Sequence, residues 1–429
     1  MKQGVKTSLV VGITLFSMFF GAGNLIFPPY LGAQSGTLLA PAFVGLALSA
    51  IGLPVLGVLA VALNGGLPNL AGKVGAKFRP IFTVIIYLAI GPCLAIPRTA
   101  STSFSMAAVP FLGDSLLLRV VYSAIFFGIA LAVAFHPEKI SSVLGRITGP
   151  LLLILIFAIV AACFMNPPGQ AGAAQGAYAV SPLPEGFIYG YQTMDAIAAL
   201  VYGIVIAQNI RSRGIQENKK VVCYTIQAGF VAGFFLLLVY LSLANIGAMG
   251  GPLFPEAQDG TAVLTGLAFL QFGSVGAGIL GSVFFIACLN TAIGLLSSCG
   301  TYFHTLHPKW SVQKWVVIFT VASFLISIAG LDAILKVSVP VLGMIYPMAI
   351  VLILLGVGKK WFVHLPKCYV WSVALAGIVG VITELGIGSS ILEQYLPFYS
   401  IGLGWVLPAA VGLLAGVVEG KVHPQQGRI

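Results

Sequence analysis

Charge is the scarcest property of this 429-residue chain: Asp, Glu, Lys and Arg together make up 7% of it, where soluble domains carry roughly a quarter. That shortage excludes a water-soluble fold, and no polar stretch is long enough for a separate soluble domain. The six cysteines (Cys93, Cys163, Cys223, Cys288, Cys299, Cys368) lie in or at the ends of apolar runs and form no C-x-x-C pair, so neither a disulfide framework nor a thiolate metal site is expected. Of five histidines only His304 and His307 share helical spacing, with no carboxylate or thiol near them in sequence, which argues against a metal centre. The chain lacks H-E-x-x-H, a Ser-His arrangement and acids paired at hydrolase spacing, and this disfavours a membrane-embedded enzyme. Gly21-Ala22-Gly23 has neither the third glycine nor the preceding strand of a dinucleotide fingerprint. A channel would show a carbonyl filter or a charged ring, and the sequence displays neither.

What is abundant is apolar sequence. At 59% hydrophobic, the chain divides into about twelve runs long enough to cross a bilayer, at 8–32, 38–63, 80–109, 116–135, 147–165, 187–210, 221–248, 270–303, 313–330, 333–357, 369–386 and 398–418. Barrel strands would be shorter and alternating, so an all-α membrane protein is expected. The net charge of +10 follows this pattern instead of marking a nucleic-acid surface. Lys2, Lys6, Lys73, Lys77, Arg79, Lys139, Arg146, Arg211, Arg213, Lys219, Lys220, Lys309, Lys314, Lys359, Lys360, Lys367, Lys421 and Arg428 occupy the N-terminus, every second loop and the C-terminal tail. Asp114, Glu185, Glu256, Asp259, Asp332, Glu384 and Glu393 occupy the loops between. The positive-inside rule then predicts an even number of spans with both termini in the cytoplasm. The first apolar run has no A-x-A site and is too long for a cleaved signal, so it reads as a first membrane helix. The pairs Gly145/Gly149, Gly229/Gly233 and Gly412/Gly416 read as close helix-packing points.

Three stretches break the apolar pattern. Within the first run, SMFFGAGNLIFPPYLG (Ser17–Gly32) places Gly-Ala-Gly-Asn and Pro-Pro where a membrane helix should be continuous. Irregular backbone at that depth is tolerated only inside protein or beside a wet cavity, and glycines let a ligand approach the main chain. Broken half-helices would offer amides to a carboxylate and free carbonyls to a cation or an ammonium group. The alternative is a packing kink. The sixth run, TMDAIAALVYGIVIAQN, holds Asp195 at membrane depth and Gly203 within a β-branched stretch, and an intramembrane acid marks function by default. Runs one and six are five apart, as two inverted five-helix repeats would place them. The eighth, IACLNTAIGLLSSCGTYF, concentrates Asn290, Thr291, Ser297 and Ser298. Adjacent hydroxyls and unpaired carbonyls suit a hard cation, whereas the bland alternative is that each hydroxyl bonds back to its own helix.

Together these stretches resemble the branched-chain amino acid:cation symporters of bacteria, members of the leucine-transporter-fold superfamily. FSMFFGAGNLIFPPYLG, AIPRTASTSF, GYQTMDAIAALVYGIV with the following RSRG, IACLNTAIGL and KVSVPVLGMIYP carry the likeness, in order along almost the whole chain. The resemblance implies two inverted repeats (8–165 and 187–357) followed by two further helices (369–418), in a bacterial inner membrane. It implies import of leucine, isoleucine or valine with a cation, and no other cofactor. By similarity, substrate binds at Gly21, Ala22, Gly23 and Asn24, with the amides around Ala22 and Gly23 on the carboxylate, and at Ala199, Tyr202 and Gly203, with carbonyls near Ala199 and Tyr202 helping to hold the ammonium. The cation takes the carbonyls of Ser17, Phe20 and Gly294 and the hydroxyls of Ser297 and Ser298. Family members often carry glutamates where Ser105 and Thr301 stand here, which favours sodium over proton coupling. Arg98 and Asp195, the remaining intramembrane charges, are expected to approach each other near an outer gate.

Overall fold

A computed structural model describes residues 2–136, 140–257 and 259–422. Lys139 and Arg428, and the side chains of Lys2 and Lys421, lie outside the described residues. Helices α1 (Lys2–Phe19), α2 (Ala22–Ser35), α3 (39–64), α4 (Phe78–Ala107), α5 (Leu116–Ala134) and α6 (Leu144–Met165) form the first half. Helices α7 (Pro182–Thr193), α8 (Asp195–Arg211), α9 (Asn218–Gly250), α10 (Gly260–Phe272), α11 (Ser274–Leu306), α12 (Val312–Ser327) and α13 (Leu331–Val357) follow, and α14 (Pro366–Glu384) and α15 (Val406–Val422) close the chain. No strand occurs among the described residues, as the continuous apolar runs require.

All twelve expected runs contain helix, with several differences in detail. Among the described residues, eight helices are long and apolar enough to span alone, and α7 with α8 make a ninth bent by 40°. Shorter apolar helices occupy the other places: Lys6–Phe19, Gly260–Phe272, Val312–Ser327 and Val406–Gly420. The first run is two helices, not one. The third is interrupted by a π turn at Ala89–Cys93, where Gly91 lies outside helical geometry (φ −91°, ψ −123°) and a Cβ would stand 2.7 Å from the Cys299 sulfur. The expected eighth run starts at Ser274, and the residues before it form the separate helix α10. Its start is set by Asp259, whose Oδ1 accepts the amides of Thr261 (3.0 Å) and Ala262 (3.1 Å). The twelfth begins at Val406, later than expected. Ser115 and Ser311 cap α5 and α12 in the same way as Asp259.

Bilayer hydrocarbon gives helices no hydrophobic reason to associate, so close packing must do the work. All three glycine pairs serve that purpose. Gly145 and Gly149 sit on Thr14 and Ser17 of α1, Gly229 and Gly233 on Val58 and Val55 of α3, and Gly412 and Gly416 on Trp371 and Cys368 of α14. A very close contact joins α2 to α9, where a Cβ on Gly32 would lie 1.9 Å from the Ala244 carbonyl oxygen and one on Gly247 would lie 2.0 Å from that of Pro29. Outside this body α14 and α15 pair through Lys367–Glu419 (2.7 Å) and Trp371 Nε1, which donates to Glu419 (2.6 Å). All six cysteines are free.

Candidate functional site

The main chain leaves helical geometry at Phe20 and Gly21, between α1 and α2. The prolines are not the cause. Pro28 and Pro29 lie inside α2, where they only withdraw hydrogen-bond donors from the carbonyls of Asn24 and Leu25. At the break Gly21 is extended (φ −121°, ψ −152°), and its amide donates to Asn24 Oδ1 (3.0 Å), not to the Ser17 carbonyl one turn back. Ser17 therefore keeps an acceptor that a continuous helix would have used. At the other end Ala22 and Gly23 open α2, and the first amides of a helix have no intrahelical acceptor. The carbonyl of Met18 receives two side-chain donors, Tyr202 Oη (2.7 Å) and Thr291 Oγ1 (2.9 Å), so α1 is tied at this point to α8 and α11.

Between α7 and α8 the chain breaks at Met194, a non-glycine residue in the left-handed region (φ 65°). Asp195 opens α8 immediately afterwards. Its Oδ2 accepts from Asn24 Nδ2 (2.5 Å) and from Tyr240 Oη of α9 (2.8 Å), and Asn24 also donates to Tyr240. Asn24, Asp195 and Tyr240 are each 2% exposed or less. A single asparagine therefore caps the first break with its oxygen and holds the acid of the second with its nitrogen. Thr193 adds a weaker link, accepting the Asp195 amide at 3.4 Å.

A small central cavity of about 20 Å³ joins the two breaks, lined by Gly21, Ala22, Gly23, Asn24, Tyr202, Arg98 and Asp195 together with Phe19, Ile90, Thr99, Met194 and Thr291 among others. In this closed arrangement it has room for about one water molecule. Four expected substrate residues of the first span and Tyr202 thus meet in one place. Ala199 and Gly203 do not line it. The interruption of the sixth span falls at Met194, so the carbonyls of Ala199, Tyr202 and Gly203 belong to the continuous helix α8, and Tyr202 contributes its side chain. Gly203 serves packing: a Cβ there would meet Val61 at 2.8 Å.

Arg98 is 5% exposed and donates through Nη1 to the Gln192 carbonyl (3.0 Å), with its guanidinium 5.9 Å from the Phe27 ring centre. Arg98 and Asp195 share the central cavity, yet no nitrogen–oxygen pair between them comes within 4 Å. The two thus approach through a shared cavity without a direct ion pair.

The expected cation ligands lie on two packed helices, α1 and α11. Gly294 of α11 packs on Met18, where a Cβ would lie 2.9 Å from the methionine side chain. Ser298 donates to the Gly294 carbonyl (2.8 Å), Ser297 to that of Ala134 (3.4 Å), and the Ser17 hydroxyl to that of Leu144 (3.2 Å). Ser298 thus bonds back within its own helix, while both hydroxyl oxygens keep lone pairs that a hard cation could take. Asn290, one turn before Gly294, is fully buried with neither side-chain polar atom partnered.

Two larger spaces flank the centre. One, of about 640 Å³, is lined by Gly65, Leu200, Gly203, Arg211, Tyr302 and Thr305 among others, and Tyr87 and Tyr302 stack beside it at 4.0 Å. The other, of about 230 Å³, is polar and includes Ser101, Ser105, Asp114, Arg119, Asp259 and Asp332. In the loop before α5, the hydrogen bond and charge of Arg119, 2.5 Å away, hold the Asp114 carboxyl below its usual range. Phe19 and Tyr202, edge to face at 5.3 Å, line the centre and not the large space. The Arg98–Gln192 bond and the stacked Tyr191–Tyr346 pair (4.4 Å) lie near the centre's other end.

Sequence reasoning missed Tyr240, Met194 and Ile90. A tyrosine in an otherwise apolar helix carries no distinguishing pattern, and Met194 has none of the glycine or proline signals of a break.

Comparison with known proteins places this geometry. The profile of the family described as "Branched-chain amino acid transport protein" matches residues 4–423. The branched-chain amino acid permease BraB of Bacillus subtilis is 39% identical over 424 residues, covering 96% of this chain and 95% of that one. The branched-chain amino acid transport system 2 carrier protein of Pseudomonas aeruginosa is 37% identical over 418 residues, with 96% and 95% covered. Among solved structures, a nucleobase-cation-symport-1 family transporter in a closed conformation with bromovinylhydantoin bound superimposes with a TM-score of 0.63 at 12% identity, covering 98% of this chain and 94% of that one. A Na+-coupled sialic acid symporter in its outward-open state gives 0.60 at 14% identity, covering 97% and 90%. At such identities the superpositions show the fold alone. By sequence this chain belongs to the branched-chain amino acid transport protein family, whose members are membrane transporters and not enzymes.

Proposed function

We propose that this protein imports leucine, isoleucine or valine across a bacterial inner membrane by symport with Na+, by alternating access. The observation that carries the reading is the junction of two broken spans at one cavity, where the free amides of Ala22 and Gly23 face the acid-bearing start of α8. These amides and the positive end of α2 would hold the substrate carboxylate. The cation would sit between α1 and α11, on the carbonyls of Ser17, Phe20 and Gly294 and the hydroxyls of Ser297 and Ser298. The diversion of the Gly21 amide to Asn24, which frees the Ser17 carbonyl, supports that assignment.

Both termini would be cytoplasmic, as the alternation of basic and acidic loops requires. The 640 Å³ space, with Arg211 at its edge, would then be the inner vestibule, and the polar space with Asp114, Asp259 and Asp332 the outer one. Cation binding favours one orientation of the bundle and substrate completes the closed form, so the two are carried together as a helix bundle rocks. Uptake of labelled leucine into proteoliposomes tests this. Saturable uptake driven by an inward sodium gradient is expected. Uptake driven equally by a proton gradient alone would remove the sodium assignment, and no uptake of any branched-chain amino acid by folded protein would remove the substrate.

A further inference from the structure

The central cavity contains a guanidinium and a carboxylate that share one small space without pairing. Each is costly at membrane depth, and an ion pair between them would be the ordinary remedy. The fold prevents it by committing each group elsewhere. Arg98 is fixed through Nη1 to the Gln192 carbonyl, just before the sixth-span break, and its Nη2 lies beside the first turn of α2, 3.0 Å from where a Gly23 Cβ would stand. Gly23 has no Cβ, so the guanidinium can approach the same amides that open the helix. On the same cavity, Asn24 and Tyr240 both donate to one oxygen of Asp195, Oδ2. The cavity therefore has a positive pole, made of Arg98 and the N-terminus of α2, and a negative pole at Asp195. Both remain without a counter-charge.

A ligand carrying both charges on neighbouring atoms completes both poles at once. We infer that Arg98 and Asp195 are the two substrate-binding charges of this carrier, Arg98 taking the α-carboxylate beside the amides of Ala22 and Gly23, and Asp195 taking the α-ammonium. The assignment rests on the amino-acid-carrier reading above and deepens it. Recognition of the zwitterion is ionic at both ends, and the side chain of the substrate is left to the apolar walls. A molecule lacking either charge leaves a buried charge of the protein unpaired, and sites of that kind reject the incomplete analogue strongly.

The test is competition against labelled leucine uptake in proteoliposomes by 3-methylbutylamine, which lacks the carboxylate, and 4-methylpentanoate, which lacks the ammonium. Wild-type protein is expected to reject both at 100-fold excess over leucine, on the order expected when a polar partner is missing. Arg98→Gln is expected to raise the KM for leucine about 100-fold and to relax rejection of the amine, and Asp195→Asn to do the same for the acid. Arg98→Lys and Asp195→Glu, which keep charge and change reach, are expected to raise KM about tenfold while rejection of both analogues persists. If the neutral variants transport leucine with unchanged discrimination, or the charge-keeping variants match wild type in KM, the assignment is wrong and the carrier reading stands. If wild type transports no branched-chain amino acid, the carrier reading has failed on its own. Thermal stabilisation by a panel of other α-amino acids, abolished in Arg98→Gln, would then still support the two poles, and equal stabilisation of both proteins would overturn them.

Discussion

The first and sixth spans are both broken at the centre of the molecule, by opposite chemistry. The first break is built from missing side chains: Gly21 and Gly23 leave room that a Cβ would fill against Thr291 (2.6 Å), the Phe27 ring (2.9 Å) and Arg98 (3.0 Å). The sixth is built from side chains that are present, with Met194 in the left-handed region and Thr193 and Asp195 supplying polar groups on either side. One break thus exposes backbone and the other exposes charge. A zwitterionic amino acid needs both, and Asn24 is the residue that holds the two at a fixed separation.

The largest expected effect tests that link. Asn24→Ala removes the cap of the first break and a donor to the acid of the second, a hydrogen bond to charge worth about 1.5–3 kcal/mol. Leucine uptake should fall by roughly 10- to 150-fold, whereas Thr193→Ala, which loses a bond to the Gly190 carbonyl (2.9 Å) and the 3.4 Å contact to the Asp195 amide, should stay within about threefold. Equal losses in the two variants would mean that Asn24 does not join the breaks.

The next comparison is between two glycines. Gly21→Ala places a methyl 2.6 Å from Thr291 Oγ1 and disturbs its bond to Met18, so uptake should fall about tenfold with the fold intact. Gly203→Ala meets Val61 on a packing face and should cost about 1–3 kcal/mol of stability, read as a lower thermal midpoint, with little change in KM. A reversed pattern would return Gly203 to the binding site.

These two glycines also show what the sequence could and could not disclose. Gly-Ala-Gly-Asn was legible because two glycines and an asparagine cluster there just before Pro-Pro in an apolar run, and the first break falls there. In the sixth span the same logic pointed to Gly203, which turned out to be a packing residue, because the real break uses a methionine whose backbone is constrained from outside. Asp195 was legible as a charge at depth, and so was Arg98. Their failure to pair was not, since pairing depends on Gln192 and Tyr240, which only the folded chain brings beside them. The helical runs themselves were plain from hydropathy, but α10 was hidden next to a longer apolar stretch and marked only by the Asp259 cap.

Smaller effects are expected in the eighth span. Ser298→Ala and Ser297→Ala each remove one proposed ligand and should raise the sodium concentration for half-maximal uptake by about tenfold, since a ligand contributes on the order of a charge-assisted hydrogen bond. The affinity for leucine at saturating sodium should hardly move. An unchanged sodium dependence in both would place the cation elsewhere. Smallest of all, Met194→Ile should cost about 1–2 kcal/mol of stability because a β-branched residue resists the left-handed region. Met194→Leu should be close to neutral by thermal denaturation. Similar stabilities for the two would show that the backbone at this break is not held as described.

The most direct measurement is a structure of the protein determined with leucine and sodium present. The account predicts leucine between the first turn of α2 and the start of α8, its carboxylate within hydrogen-bond reach of the Ala22 and Gly23 amides and Arg98, and its ammonium at Asp195. Leucine bound away from both breaks, with Arg98 and Asp195 still unpaired, would contradict it.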